Sequence, residues 1–332
     1  MLTKRINIWK QDEYTYPLAM GFQPNLVTYL HEDEAVRPAM IVVPGGGYCV
    51  VSPTEGEIVA KKFYEMGYQA FVLTYTTNML MEASLGKQPM RDLSRGIRYV
   101  RKHAEEFRVR PDQLVICGFS AGGHLCGSVC VHYEDVTESN PEYDGISNRP
   151  DAAILSYPVI TSGEYAHKDS FKALLGMRVD EQTGETFCSA SQEEQDYMSL
   201  EKQVTANTPP CFLWQTAEDE LVPVENSYLF AEACRREGVP FAHHVFSHGQ
   251  HGLSLADETW ASCAYGEPYT MEQNQAIVEA VKERVIFMSE DARKAILEQE
   301  ESWRIADSTR KDVNEEAKIW PELAVQWLKG VL

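Results

Sequence analysis

Residues 114–125 read LVICGFSAGGHL and join an apolar run, a tight turn and the start of a helix. The continuous apolar run at 114–117 is typical of a strand that is buried on both faces. The pattern GFSAG follows directly at 118–122, and helix-forming residues come after it. A serine between two such glycines sits on a sharp turn that presents its hydroxyl at a helix N-terminus. This stretch predicts Ser120 as a nucleophile; the alternative is an ordinary N-cap serine in a Gly-rich turn.

A second apolar run at 39–43 ends in PGGGY at 44–48. Glycines allow backbone N–H groups to approach a developing oxyanion closely. We therefore expect oxyanion donors from Gly46 and Gly47, together with the N–H of Ala121. Tyr48 lies next to this loop and is a candidate wall of the acyl pocket. The alternatives are a flexible turn for the glycines and simple packing for Tyr48.

A third signal is the run of acids that follows the predicted strand at 212–214. A carboxylate at the carboxyl end of a strand faces the same edge of the sheet as Ser120. It can accept the Nδ1–H of a histidine and fix its tautomer. We predict Asp219 in this role, because the turn at 221–223 after it suits such an acid. Glu218 and Glu220 remain the alternatives.

The fourth signal is SHGQHGL at 247–253, after the last predicted strand. We predict His251 as the general base, because Gly252 leaves room for a mobile imidazole ring. His248 is the rival. A metal cluster that includes His243 and His244 is less favoured, since neighbouring residues of a strand point to opposite faces.

The rest of the chain alternates apolar strands with amphipathic helices, which predicts an α/β fold with a mostly parallel central sheet and helices on both faces. We expect a single domain over 1–332, with a cap-like excursion at 161–205, a helical insert at 257–316 and a closing helix at 320–332. The predicted strands are 25–30, 39–43, 69–75, 114–117, 152–157, 212–214 and 243–246. The predicted helices before the insert are 55–66, 92–107 and 224–237, besides the one that starts after Ser120.

Composition limits the classes of protein that are possible. The 332 residues are 44% hydrophobic and carry a net charge of −20, which suits a globular protein and disfavours nucleic-acid binding. Eight cysteines without a CxxC pair, no apolar leader and no bilayer-length apolar run favour the cytoplasm and exclude a membrane role.

These motifs together resemble the bacterial acetyl-esterase and acetylxylan-esterase branch of the α/β hydrolases, of the BD-FAE and lipase/esterase type. The order Ser120, Asp219, His251 along the chain is that of the α/β-hydrolase fold. One departure is Pro44, which stands where related loops often have histidine. The resemblance implies a serine carboxylic-ester hydrolase acting on short acyl esters, often acetyl groups on sugars or oligosaccharides. It also implies an acyl-enzyme intermediate and no metal or organic cofactor.

The insert at 257–316 is longer than the resemblance leads us to expect. Its aromatic residues Trp260 and Tyr269 are candidate substrate-binding residues, since aromatic rings suit sugar faces. The alternative is an acidic helical hairpin that packs on the surface or on a second subunit as a homo-oligomer contact. For the whole protein the alternatives are an amidase or formamidase on the same fold, and a binding protein of hydrolase fold without catalysis.

Overall fold

An eight-stranded sheet forms the centre of the protein in the computed structural model, which describes residues 1–10, 12–17, 19–81 and 83–332. Its strand order is β1-β2-β4-β3-β5-β6-β9-β10, and β7 and β8 form a separate hairpin. Strands β1 and β2 are antiparallel at one edge, and the strands from β4 to β10 in that order are parallel. The strands are β1 Arg5–Asn7, β2 Asn25–Tyr29, β3 Arg37–Val43, β4 Gln69–Thr74, β5 Val109–Phe119, β6 Ala152–Ser156, β7 Met177–Val179, β8 Thr186–Cys188, β9 Cys211–Thr216 and β10 Phe241–Phe246.

Helices cover both faces of this sheet, as the alternating pattern predicts. They are α1 Glu57–Glu65, α2 Gln88–Lys102, α3 Ala104–Phe107, α4 Ala121–His132, α5 Lys168–Leu175, α6 Gln192–Tyr197, α7 Glu225–Glu237, α8 Glu258–Ala261, α9 Glu272–Lys282, α10 Glu290–Ser308 and α11 Trp320–Val331. The helix predicted at 92–107 is divided at His103 into α2 and α3, and it begins earlier because Pro89 occupies its first turn.

Successive side chains of each central strand enter different cores. Ile41 and Val43 pack with α2, α4 and α7 on one face, whereas Met40 and Val42 pack with α1 and α11 on the other. All four side chains are fully buried. A strand buried on both faces needs a continuous apolar run, so the sequence pattern and the two-sided core have the same cause.

The carboxyl ends of the parallel strands meet at one edge, and that edge carries the predicted site. Residues 44–48 follow β3, Ser120 follows β5, Asp219 follows β9 and His251 follows β10. The excursion at 161–205 contains α5, α6 and the β7–β8 hairpin.

The insert is helical, as predicted, and consists of α8, α9 and α10. A small separate core joins α9 to the loop after β4, where Ile277, Val278 and Val281 pack with Met79. Gln273 on α9 accepts the Thr77 N–H at 2.9 Å. The homo-oligomer contact expected for this insert stays a prediction.

All eight cysteines are free thiols. Among the helices of the described chain, none is long and apolar enough to cross a bilayer.

Candidate active site

Ser120 lies on a strained turn between β5 and α4. Its backbone has φ 52° and ψ −118°, a conformation that non-glycine residues rarely adopt. The Ser120 N–H donates to the Ser156 carbonyl at 3.0 Å, and its own carbonyl accepts the His124 N–H at 3.0 Å. These bonds fix the turn, so the hydroxyl is presented at the start of α4.

Close backbone approach explains why Gly122 follows Ser120. A Cβ at Gly122 would lie 2.2 Å from the Val43 carbonyl oxygen and 2.4 Å from that of Pro44. The elbow can therefore pack against the end of β3 only when this residue has no side chain. The same contact holds α4 beside the loop that starts at Pro44.

The structure brings together the three residues predicted from separate parts of the chain. His251 Nε2 lies 2.8 Å from Ser120 Oγ, and His251 Nδ1 lies 2.7 Å from Asp219 Oδ2. A neutral imidazole with its proton on Nδ1 donates to Asp219 and accepts the Ser120 hydroxyl proton at Nε2. The arrangement can remove a proton from Ser120 and return it to a leaving group.

Asp219 is held in place by the turn that follows it. Its Oδ1 accepts the N–H groups of Leu221 at 3.1 Å and Val222 at 2.9 Å. The side chain is almost fully buried, and the Gln215 side-chain amide is a further donor to its Oδ2, at 3.3 Å. These hydrogen bonds hold the carboxyl group in the orientation that receives the His251 Nδ1–H.

The rival acid and base are paired with each other at the surface. Glu218 Oε1 lies 2.9 Å from His248 Nδ1, and both side chains are well exposed. His243 Nε2 contacts Ser227 Oγ at 3.0 Å, whereas the ring of His244 stacks on Phe212. These two histidines therefore face opposite sides of β10, as strand alternation requires.

The three-glycine loop (residues 45–47) lies next to Ser120. Gly46 has φ 116° and Gly47 has φ 62°, and a Cβ at Gly46 would lie 2.4 Å from the Val50 carbonyl. Across the described residues, no protein acceptor takes the N–H groups of Gly46, Gly47 and Ala121. The Gly45 N–H, in contrast, donates to Glu55 Oε2 at 2.7 Å. The donors predicted from the sequence are thus the ones left open to a ligand.

Glu55 and Tyr157 are part of the site's support, although sequence reasoning missed both. The Tyr157 hydroxyl donates to Glu55 Oε1 at 2.7 Å, and its ring packs edge-on against His251 with centroids 4.9 Å apart. Tyr157 directly follows β6, so its place at the carboxyl edge of the sheet was a usable signal. The local sequence around Glu55 gives no such signal.

A narrow cavity lies beside the three-glycine loop. It is too small to hold a water molecule in this structure and is lined by Tyr48, His124, Val159, Ser170, Phe171 and Leu174. The Tyr48 hydroxyl donates to His124 Nδ1 at 2.7 Å, because His124 Nε2–H is used on the Met198 carbonyl at 2.9 Å. Burial lowers the pKa of His124 to about 4, which keeps this ring neutral. Tyr48 is therefore a wall of this cavity, with its polar end satisfied.

His167 lies in front of α5 and was also not predicted. Its side chain caps the helix, since Nδ1 accepts the Ser170 N–H at 3.4 Å and also lies 2.8 Å from Ser170 Oγ. Burial lowers the pKa of His167, and the nearby charge of His251 lowers it further. The start of α5 thus belongs to the surroundings of His251.

Trp260 does not lie on an open pocket wall, which corrects the sequence expectation, whereas a substrate-binding role for Tyr269 stays a prediction. Trp260 is 1% exposed and packs in the core beneath α1 and α11. The Tyr269 hydroxyl hydrogen-bonds to that of Tyr29 at 2.9 Å, and its ring packs at the edge of the same core. The buried ring of Trp260 offers no face to a sugar.

Comparison with known proteins gives a family and a fold. The BD-FAE family model matches residues 27–234. The chain is 52% identical over 269 residues to endo-1,4-beta-xylanase B of Butyrivibrio fibrisolvens, covering 81% of this chain and 41% of that protein. It is 28% identical over 269 residues to the acetylxylan esterase of Xylanibacter ruminicola, covering 78% of this chain and 49% of that protein. The chain thus spans less than half the length of these two relatives.

Solved structures confirm the predicted fold. An acetyl ester-xyloside bifunctional hydrolase from Caldicellulosiruptor lactoaceticus matches with a TM-score of 0.69 and 38% identity, over 77% of this chain and 90% of that chain. The carboxylesterase Cest-2923 from Lactobacillus plantarum matches with a TM-score of 0.64 over 100% of this chain and 99% of that one, and at 22% identity this is a likeness of fold alone. The protein has the α/β-hydrolase fold.

Proposed function

Since the chain belongs to the BD-FAE family, we propose that it is a serine carboxylic-ester hydrolase that removes short acyl groups, above all acetyl groups, from sugars or oligosaccharides. The observation that carries the proposal is the chain of two hydrogen bonds from Ser120 through His251 to Asp219. It stands beside the backbone N–H groups of Gly46, Gly47 and Ala121, which no acceptor in the described part of the chain takes.

The proposed reaction has two acyl-transfer steps. His251 Nε2 takes the hydroxyl proton of Ser120 as Oγ attacks the ester carbonyl carbon. The N–H groups of Gly46, Gly47 and Ala121 stabilise the oxyanion. His251 then gives the proton to the departing alcohol, and water releases the acyl group by the same path in reverse.

The tight packing around the small cavity supports a short acyl group. The cavity has no room for a water molecule in this structure, so an acyl group enters it only by displacing the side chains that line it. Phe171 and Leu174 close its apolar side and are both nearly fully buried. An acetyl group requires the smallest displacement of these side chains, whereas an octanoyl chain would have to displace α5.

The names of the relatives support the sugar ester. Two similar proteins are described as an acetylxylan esterase and as an acetyl ester-xyloside bifunctional hydrolase. We extend that substrate class to this chain as part of the proposal. A cytoplasmic location is also a proposal, supported by the eight free thiols.

The test compares the wild type with Ser120→Ala and His251→Ala on p-nitrophenyl acetate, butyrate and octanoate, and on acetylated xylo- and manno-oligosaccharides. We expect acetate release by the wild type and a loss of at least about 1,000-fold in kcat for each variant. Ser128→Ala is the matched control, because it removes a buried hydroxyl from the same helix. That hydroxyl donates to the His124 carbonyl at 2.8 Å and is not hydrogen-bonded to His251.

Three outcomes would each overturn part or all of the proposal. Full activity of Ser120→Ala would remove Ser120 from the reaction. A wild type that cleaves N-formyl amides but no ester would show amide chemistry on this fold. Faster cleavage of p-nitrophenyl octanoate than of p-nitrophenyl acetate would refute the preference for a short acyl group.

A further inference from the structure

A buried carboxylate that takes no part in the Ser120–His251–Asp219 chain lies between the two loops of the site. Glu55 ends the 3₁₀ turn Pro53–Glu55 after the three-glycine loop and is 4% exposed. Within the described ranges, no lysine or arginine forms an ion pair with it. A carboxylate that is buried without a counter-ion costs stability. Its presence here therefore indicates a role that outweighs this cost.

Both oxygens of Glu55 are acceptors. Oε2 accepts the Gly45 N–H at 2.7 Å, and Oε1 accepts the Tyr157 hydroxyl at 2.7 Å. Tyr157 has to donate here, because its own oxygen already accepts the Ser254 N–H at 3.0 Å. A protonated Glu55 would place a hydrogen against one of these donors, so the hydrogen bonds match the ionised form. Burial raises the pKa of Glu55, and the bonds from Tyr157 and Gly45 oppose that rise.

The same turn is bonded to the loop that carries His251. Ser254 Oγ donates to the Thr54 carbonyl at 2.7 Å, and the Trp320 indole donates to the Ser254 carbonyl at 2.8 Å. Glu55 therefore joins residues 45–47 to residues 251–254 through one hydroxyl, that of Tyr157. The Tyr157 ring also fixes one side of the His251 imidazole.

We propose that Glu55 is a positioning residue of the esterase reaction, whose buried charge both holds the three-glycine loop against the His251 loop and stabilises His251 in its protonated form. This inference rests on the proposed function. As Ser120 attacks, His251 becomes an imidazolium, and a negative charge within reach lowers the energy of that state. Charge and geometry thus act at the same step, at which oxyanion and imidazolium exist together.

Other polar and titratable groups also face His251 and Glu55, and these groups are kept as they are in the test. The groups around His251 are Ser120, Asp219, Tyr157 and His167. The groups around Glu55 are Tyr157, Tyr75, Cys117, His251 and Asp307.

The experiment is Glu55→Gln in the full chain, assayed with p-nitrophenyl acetate from pH 5 to 9. Gln keeps the size of the side chain but removes the charge and puts an NH₂ group against one of the two donors. We expect kcat to fall by about 10- to 100-fold with KM changed by less than about threefold. Without the Glu55 charge the imidazolium form of His251 is less stabilised, so the acid limb of kcat/KM should move to lower pH.

Asp92→Asn is the matched control. Asp92 is also fully buried, and its carboxyl oxygens accept hydrogen bonds from Trp9 Nε1 at 2.8 Å and the Thr76 N–H at 2.9 Å. It differs from Glu55 in its position, since it lies in the first half of α2 and not beside His251. It should lower the melting temperature and leave the acid limb in place. If Glu55→Gln lowers activity without moving the limb, like this control, the charge part of the proposal is wrong.

Tyr157→Phe keeps the proposal testable if Glu55→Gln does not fold. It leaves the ring against His251 and removes only the hydroxyl that joins Glu55 to Ser254, so kcat should fall by about 3- to 30-fold at constant KM. Wild-type kcat in this variant would overturn the bridging role. If the wild type hydrolyses no ester at all, the proposed function fails, but the inference about Glu55 can still be tested. NMR titration of the His251 ring would then compare the wild type with Glu55→Gln. The same titration midpoint of His251 in both proteins would contradict the inference.

Discussion

The side-chain amide of Asn314 donates a hydrogen bond to the backbone carbonyl of His248 at 2.8 Å, so the end of the insert holds the loop that carries His251. Asn314 Oδ1 accepts the N–H groups of Glu316 and Ala317, which fixes the amide in this orientation. Glu316 in turn accepts the Ser247 N–H at 2.9 Å. The segment at the end of the insert thus supports the site through backbone contacts rather than by lining a pocket.

Asn314→Ala should lower kcat/KM for p-nitrophenyl acetate by roughly fivefold, since one net hydrogen bond of about 1 kcal/mol no longer orders the loop. Glu315→Ala is the control, because Glu315 is exposed and only pairs with Lys318 at the surface. Equal rates for the two variants would show that the insert does not position His251.

The parts of the site that follow local rules could be predicted from the sequence. Ser120, Gly46 and Gly122 have conformations or contacts that only particular residue types allow, and these leave a pattern at fixed spacing. Asp219 and His251 could be placed because parallel strands bring their carboxyl ends to one edge. In each case a constraint of a few residues was enough.

Long-range pairing explains what the sequence did not reveal. Glu55 and Tyr157 are 102 positions apart, and their contact depends on how the ends of β3 and β6 pack. Trp260 was misplaced for a similar reason: its indole packs in the core beneath α1 and α11, which are far from it in the sequence. A polar stretch with an aromatic residue does not show which side the ring will take.

The neutral His124 predicts a pH dependence of stability. Its pKa in the folded protein is about 4, below the ordinary 6.5, because burial disfavours the imidazolium. Below pH 6.5 the unfolded chain binds a proton at this histidine that the folded protein does not bind, so the free energy of unfolding falls between pH 6.5 and 4, by up to about 3 kcal/mol.

His124→Gln should therefore flatten the decline in urea-unfolding free energy between pH 7 and 4.5, even if the variant is less stable at pH 7. Its control is His248→Gln, since Glu218 raises the pKa of the exposed His248 and gives no effect of this sign. A decline of the same size in His124→Gln and the wild type would refute the assignment.

Gly122→Ala should abolish most activity, because the new Cβ would overlap the carbonyl oxygens of Val43 and Pro44 and displace the three-glycine loop. A loss of at least about 100-fold in kcat is expected from a misplaced oxyanion donor. Gly127→Ala on the same helix is the comparison, because its Cβ would meet side-chain ends rather than backbone, Leu200 Cδ1 at 2.7 Å and Leu155 Cδ1 at 3.9 Å. Circular dichroism checks that both variants fold, and near-normal kcat in a folded Gly122→Ala would contradict the packing argument.

Phe171→Ala should widen the acyl cavity and change the preference for chain length. Removing the ring adds space beside Tyr48 and Leu174, so the ratio of kcat/KM for p-nitrophenyl butyrate to that for acetate should rise by about tenfold. The ratio is the right measurement, because deleting a buried Phe also costs about 3–5 kcal/mol of stability and lowers the amount of folded enzyme for both substrates alike. Leu175→Ala removes a buried side chain from the same helix that does not line the cavity, and it should leave the ratio unchanged. A ratio that stays constant in Phe171→Ala, or that rises equally in Leu175→Ala, would show that this cavity does not receive the acyl group.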